Sequence, residues 1–442
     1  MKKYYPLILV ESYLLTTLLL LFFGPIEFRI HNTSLFLVLM LLYHGFFILG
    51  YWIAALTYKG LTIGTQTDYS NYYSSGIYYL SFFIGLIGVL GTYSNLMLTD
   101  SLIPYDFFEN LARGFSEPGL VYAERMTMIG DGITADSRLF NILSLFFSFF
   151  KLLFIFQFVY FWRTLGKLNK VLAIIYSFLF ISSGISSGTN SVVFIYFIFL
   201  ALSMLVVLYI RRYIHFKKIM LAAAIAALLP ISSFGYIMSH RGGGFDYFST
   251  TSPLGDISVS ASLINGDSGT YFDFLYYSFV WLNYYLVQGY YGFSLILNLD
   301  FNWTYGFGNS AFLQRQFYML TNIDISDLTF QHRISEFWDE SAQWHSFYSQ
   351  FANDFGLAGL SVLFLFLGYF FSRTWCSVIY RNSFYGAALM PIFAIMFIFI
   401  PANNQVFGYI DTLSYFIFIS IFWIFEKKAH NLPKTDTSLQ TR

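Results

Sequence analysis

The sequence predicts an all-α polytopic membrane protein of about ten transmembrane helices, and three observations lead there. Charged residues make up only 11% of the 442 residues, against about 25% in soluble domains, while apolar residues make up 57%. Apolar runs long enough to cross about 30 Å of hydrocarbon recur at 6–23, 35–57, 74–96, 139–162, 171–187, 191–210, 219–238, 346–371, 384–401 and 406–425. Sixteen of the 24 basic residues fall in short loops and ends, as cytoplasmic flanks do.

The first run opens with Lys2 and Lys3, as a signal peptide would. Glu11 interrupts its apolar core, however, and no small-residue cleavage site follows Gly24-Pro25, so it reads as a retained helix. The basic groups are Lys2/Lys3, Lys59, Arg163/Lys167/Lys170, Arg211/Arg212/Lys217/Lys218, Arg373/Arg381 and Lys427/Lys428/Lys434/Arg442. Ten crossings put all of them on one side and both termini in the cytoplasm. Two long segments, 97–138 and 239–345, remain outside and hold most of the carboxylates. The uncharged stretch 274–299 reads as an interfacial or loop-buried helix, because one more crossing breaks the sidedness; a re-entrant hairpin is the alternative. Residues 1–426 then form one integral membrane domain, followed by a disordered cytoplasmic tail, 427–442. One cysteine, Cys376, excludes a disulfide framework within one chain. No Walker loop, dinucleotide fingerprint, HExxH pair or nucleophile elbow is present, so the expectation is an activity without cofactor, metal or nucleic acid.

Candidate chemistry gathers in 239–345. Basic residues are rare there, and Arg241, Arg315 and Arg333 offer the donor fork that grips a diphosphate. Arg241 precedes Gly242-Gly243-Gly244, whose bare amides can approach an anion. The structural alternative is a flexible helix exit at Arg241 and ion pairs from Arg315 and Arg333 to Asp324, Asp327, Glu336 or Asp339. His345, where the loop meets the next apolar run, is a candidate general base; the alternative is an interfacial anchor like Trp344 beside it. Tyr290, Tyr291, Trp303 and Trp344 offer flat rings with polar handles for stacking on sugars, or else an aromatic belt. Asp354, Asp411 and Lys151 are charges at or within apolar runs, which default to functional hypotheses.

Three pieces carry a family resemblance: Gln288-Gly289-Tyr290-Tyr291-Gly292; Gly306-Phe307-Gly308-Asn309-Ser310 followed by Arg315; and Trp344-His345-Ser346-Phe347-Tyr348 with Asn353-Asp354-Phe355-Gly356. His345 and Gly356 are eleven positions apart, about three turns and nearly one face of a regular helix. Ala352, Gly356 and Gly359 would keep that face smooth for a neighbouring helix. This looks like the H-x10-G signature of bacterial O-antigen polymerases and ligases, and 241–371 resembles the O-antigen (Wzy-type) repeat-unit polymerases. One departure is Asn190 in the hairpin Gly188-Thr189-Asn190, where relatives often have Arg. The resemblance implies a GT-C-like, metal-independent glycosyltransferase in the bacterial cytoplasmic membrane, acting at its outer face. Its substrate would be an undecaprenyl-diphosphate-linked oligosaccharide in membrane lipid, its product an O-antigen or capsule polysaccharide, and its partners a chain-length regulator and a flippase. Within it Arg241, Arg315 and Arg333 would hold the diphosphate and His345 would be the base. The competing readings are an O-antigen ligase and a lipid-linked oligosaccharide flippase or transporter.

The sidedness argument is tested by reporter fusions after Ser249 and Thr321, which are expected to report the same, non-cytoplasmic side. Opposite sides for the two would remove the ten-crossing topology.

Overall fold

The chain is described by a computed structural model covering residues 2–58, 74–98, 105–130, 138–188, 190–211, 252–259 and 271–430. Helices dominate. In chain order they are α1 (Tyr5–Phe23), α2 (Thr33–Leu56), α3 (Ser75–Leu96), α4 (Phe107–Ser116), α5 (Pro118–Gly130), α6 (Arg138–Phe161), α7 (Lys167–Ser186), α8 (Asn190–Ile210), α9 (Tyr271–Leu295), α10 (Ala311–Thr321), α11 (Phe330–Arg333), α12 (Phe347–Arg381), α13 (Phe384–Phe399) and α14 (Ile410–His430). Six of them are long and apolar enough to cross a membrane: Lys2–Phe23, Thr33–Leu56, Ser75–Leu96, Lys167–Ser186, Ser191–Ile210 and Phe347–Arg381. The described residues are those of an all-α membrane protein. The apolar run 219–238 lies outside them.

The helix ends carrying the basic clusters meet at one end of the bundle. There the Lys3 ammonium bonds the Ala55 carbonyl (3.2 Å), and the Trp375 indole N–H donates to the Lys2 carbonyl (3.3 Å). Arg373 donates to Thr57 (2.9 Å), Tyr209 packs on Trp375, and the Arg211 guanidinium bonds the Tyr160 carbonyl. The starts of α1 and α13 and the ends of α2, α6, α8 and α12 thus share a level.

At the opposite end, a two-stranded antiparallel ribbon joins β1 (Ile26–Phe28) to β2 (Ile257–Val259), Glu27 opposite Ser258. It ties the 252–259 segment to the turn between α1 and α2. Asp256 reinforces it, bonded to His31 (2.7 Å) and facing Tyr291 (3.4 Å). The first long loop contains the helical pair α4 and α5, bridged by a two-pronged Arg113–Glu124 contact (3.1 and 3.0 Å).

Within 274–299 the favoured helical reading agrees with the structure: Tyr271–Leu295 is one continuous helix, α9, with Val280, Trp281, Tyr284, Val287, Tyr290, Tyr291 and Phe293 buried, so the hairpin alternative does not hold. Two segments differ from their sequence reading. α14 runs to His430, so residues 427–430 are helical where a disordered tail was predicted; 431–442 lie outside the described residues. α12 is not one regular helix: Gly356 adopts φ 66°, ψ 170° and breaks it into 347–355 and 357–381. The H-x10-G pair therefore does not share a helix face, because the spacing argument assumed unbroken 3.6-residue periodicity. The Leu357 carbonyl next to the break finds a partner in the Tyr43 hydroxyl (2.8 Å), as a group away from water requires.

Small residues do set the closest helix contact, but elsewhere. Gly50 of α2 lies against the Leu365 carbonyl and Gly368 of α12 against the Phe47 carbonyl, with no room for a Cβ at either. Gly368→Ala is expected to push α2 and α12 apart at a cost of about 1–3 kcal/mol, seen as a lower unfolding temperature in detergent. Gly45→Ala, where a Cβ meets nothing within 4 Å, is expected to lower it not at all; equal losses would refute the close-packing role.

Candidate active site

The three motifs of the sequence meet around the first half of α12. Ser346 caps that helix, accepting from the Ser349 amide (3.2 Å), and the Phe347 amide bonds the Ile400 carbonyl (3.0 Å). Asn353 and Asp354, one residue pair before the break, grip the Gly-Phe-Gly-Asn loop. The Asp354 carboxylate accepts from Thr304 (2.5 Å), the Gly308 amide (3.0 Å), the Asn309 amide (3.1 Å) and the Asn309 side chain (2.8 Å). Asn353 donates to the Gly308 carbonyl (2.9 Å) and Gln331 (2.6 Å) and accepts from the Phe330 amide (2.8 Å). Asn404 completes the brace through the Asn309 carbonyl (2.8 Å). Asp354 is thus a clamp for a loop.

The Gln-Gly-Tyr-Tyr-Gly motif supplies the other wall. Gln288 accepts from the Trp344 amide (3.2 Å), and Gly289 leaves space for the 401–402 backbone and the Ser346 amide. A Cβ at Gly292 would stand 3.0 Å from the Trp338 ring and 3.4 Å from His345 Nδ1. Trp338 in turn donates to the Trp344 carbonyl (3.1 Å). The glycines of α9 therefore let the His345 loop lie flat on that helix.

His345 is 4% exposed, and neither ring nitrogen has a hydrogen-bond partner among the described residues. Loss of water pushes the imidazole down to about 3, against a smaller opposing pull from Asp339. The ring is neutral at physiological pH, with one nitrogen carrying a free lone pair and the other a free N–H. Buried polar groups without partners are rare and call for an explanation.

The remaining candidates separate. Arg315 lies exposed on α10, which starts from the clamped loop at the Ser310 cap, and it makes no ion pair among the described residues. Three of the four acids suggested as its partners are engaged elsewhere, Asp324 with Ser326, Asp327 with His332 and Asp339 with Ser341, and the fourth, Glu336, forms no ion pair with it. Arg333 donates to the Asp300 carbonyl (2.6 Å) and stacks on Phe330, a structural engagement. Trp303 (57% exposed) and Tyr305 (48%) pack against each other, and Tyr305 stacks on Phe317, two residues beyond Arg315. They form an open aromatic platform against α10. Trp344 packs against Tyr285 and Phe399. Tyr290 and Tyr291 are fully buried, Tyr290 bonded to Thr17 and packed on Tyr348, Tyr291 bonded to Ser252 and packed on Trp338. Neither ring presents a face for a sugar, and we assign both to the core. Arg241 lies outside the described residues.

Residues that the sequence reading passed over are Thr304, Gln331 and Asn404. The polar run Asn403-Asn404-Gln405 between two apolar segments is the signal that could have found the last.

Because the folded ring stays neutral down to about 3 while an unfolded histidine protonates near 6.5, the unfolded chain binds the extra proton between those values. Stability is therefore full above 6.5 and falls as pH drops, by about 2 kcal/mol between pH 7 and 5 from this group alone. His345→Gln is expected to remove that part of the acid sensitivity, measured as unfolding temperature against pH; identical pH dependence would refute a buried neutral ring. Comparison of the chain with protein-family models, curated proteins and solved structures finds no match.

Proposed function

We propose that this chain is a membrane glycosyltransferase that polymerises polyprenyl-diphosphate-linked oligosaccharide repeat units into a surface polysaccharide at the outer face of a bacterial cytoplasmic membrane. In this reading the bundle is GT-C-like, crosses about ten times and keeps both termini inside. The observation that carries it is the convergence of the three motifs on the start of α12, which hangs an unpartnered neutral histidine and an unpaired arginine on one clamped frame.

The chemistry asks for little more. The anomeric C–O bond of the donor breaks and the diphosphate leaves on its lipid, its charge met by the Arg315 fork. The acceptor hydroxyl oxygen bonds that carbon, and its proton passes to the free lone pair of His345. A base of modest strength suffices, since the hydroxyl becomes strongly acidic as the new bond forms. Trp303 and Tyr305 supply the stacking surface for the glycan.

A second reading, a proton-coupled transporter of the same lipid-linked sugar, has its own support. Lys151 bonds Asp411 (2.5 Å) inside the bundle, and Glu11 bonds His44 (2.9 Å), which contacts Tyr348 (3.2 Å). A deletion strain separates the readings: single repeats on the outer face indicate a polymerase, long unligated chains a ligase, and repeats held at the inner face a transporter.

With purified protein and a lipid-linked repeat, His345→Gln is expected to slow elongation about 10²–10⁴-fold. Arg315→Lys, which keeps charge but loses the fork, is expected to shorten the chains. The wild-type kcat/KM should show no histidine limb near pH 6.5, since free-enzyme His345 titrates at about 3. Near-wild-type elongation by His345→Gln would end its role as base.

A further inference from the structure

The first outer helical pair shapes a cleft of its own. Its volume is about 110 Å³, and Asn110, Arg113, Glu124, Arg125, Ser186 and Ser187 line it. Arg113 and Glu124 pair at a half-exposed mouth. Ser186 is buried, and its hydroxyl has no hydrogen-bond partner among the described residues. Gly188, at φ 62°, lets α5 lie directly on the end of α7, with Pro118 and Tyr122 where a Cβ would be. Formal charges on the lining sum to one positive, and burial disfavours the Arg125 cation, a cost that an incoming anion relieves.

The cleft also lies at the level where lipid head groups would be. Its floor is the end of α7, one of the helices able to cross a membrane. α4 crosses that end, Gly114 resting on the Ile185 carbonyl and Phe107 meeting Phe178. Phe108 (80% exposed) and Phe115 (66%), seven positions apart on one face of α4, point away from the protein. An apolar face at that height is at home among acyl chains, as in interfacial helices. The Lys151 ammonium bonds Thr92 near the end of α3 and Asp411 near the start of α14, so the cleft and the His345 loop belong to the same end of the bundle.

We propose that this cleft binds the phosphate of an anionic lipid, with Arg125 and Arg113 as its cations, the Ser186 hydroxyl as a donor, and the α4 aromatics set among the chains. The site shares no residue with the proposed transferase centre, and its test reads binding, so its outcome is independent of that activity.

The full-length protein is placed in phosphatidylcholine nanodiscs doped with phosphatidylglycerol, and retained lipid is counted by native mass spectrometry. Wild type is expected to retain phosphatidylglycerol, and Arg125→Gln to weaken retention at least tenfold. Glu124→Gln, which removes the one negative charge of the lining, is expected to strengthen it. Opposite effects from neighbouring substitutions cannot come from a damaged helix pair. Displacement by inorganic phosphate would identify the phosphate group alone as the ligand; failure to displace would show that the acyl chains contribute. Unchanged retention in Arg125→Gln, or equal weakening in both variants, would overturn the site.

Discussion

The Asp354 carboxylate is the interaction on which the rest of the candidate site depends. It accepts four hydrogen bonds from Thr304, Gly308 and Asn309, just before the break at Gly356. Charge-assisted bonds of this kind contribute about 1.5–3 kcal/mol each, against about 0–1 kcal/mol for an exposed ion pair such as Asp327–His332. The loop is therefore held by Asp354 and not by its surface charges. The break is part of the same device. A continuous helix would carry 347–355 on along the α12 axis; Gly356, in a positive-φ extended conformation open essentially to glycine alone, ends that segment where Phe301 packs over it, leaving Asn353 and Asp354 facing the loop.

The apolar surroundings decide which polar groups survive inside. Lys151 is 2% exposed, yet Asp411 and Thr92 satisfy it, and Ser148 shares the carboxylate (2.5 Å). A buried pair of this kind is costly to break from one side, since the remaining charge is left without a partner. It links α3, α6 and α14 at one level. His345 stands in contrast: it is as buried as Lys151 and has no partner among the described residues. A structural histidine in such a place normally finds one, and that difference is what makes it a candidate for chemistry.

Much of the helical plan was legible because a membrane leaves few options: runs such as 35–57 and 74–96 reappear as Thr33–Leu56 and Ser75–Leu96. The meeting of the motifs was not legible. The donors to Asp354 lie 45 to 50 residues upstream and two of them are backbone amides, so nothing in the local pattern distinguishes a loop clamp from an intramembrane charge. Gly356 was singled out for its spacing from His345, but its conformation is set by tertiary contacts that spacing does not encode. The three-residue strands are too short to leave a period-2 signature. Tyr290 and Tyr291 look alike to composition whether they face a sugar or Tyr348 and Trp338; only packing separates the two.

The central claim is that the start of α12 holds the Arg315-bearing segment in place through Asp354. Hydrogen exchange of the backbone in 304–321, compared between wild type and Asp354→Ala in one detergent, tests it directly. The Gly308 and Asn309 amides are expected to lose protection first, and α10 with them, while α2 and the 357–381 half of α12 keep theirs. Unchanged protection across 304–321 in Asp354→Ala would contradict the account.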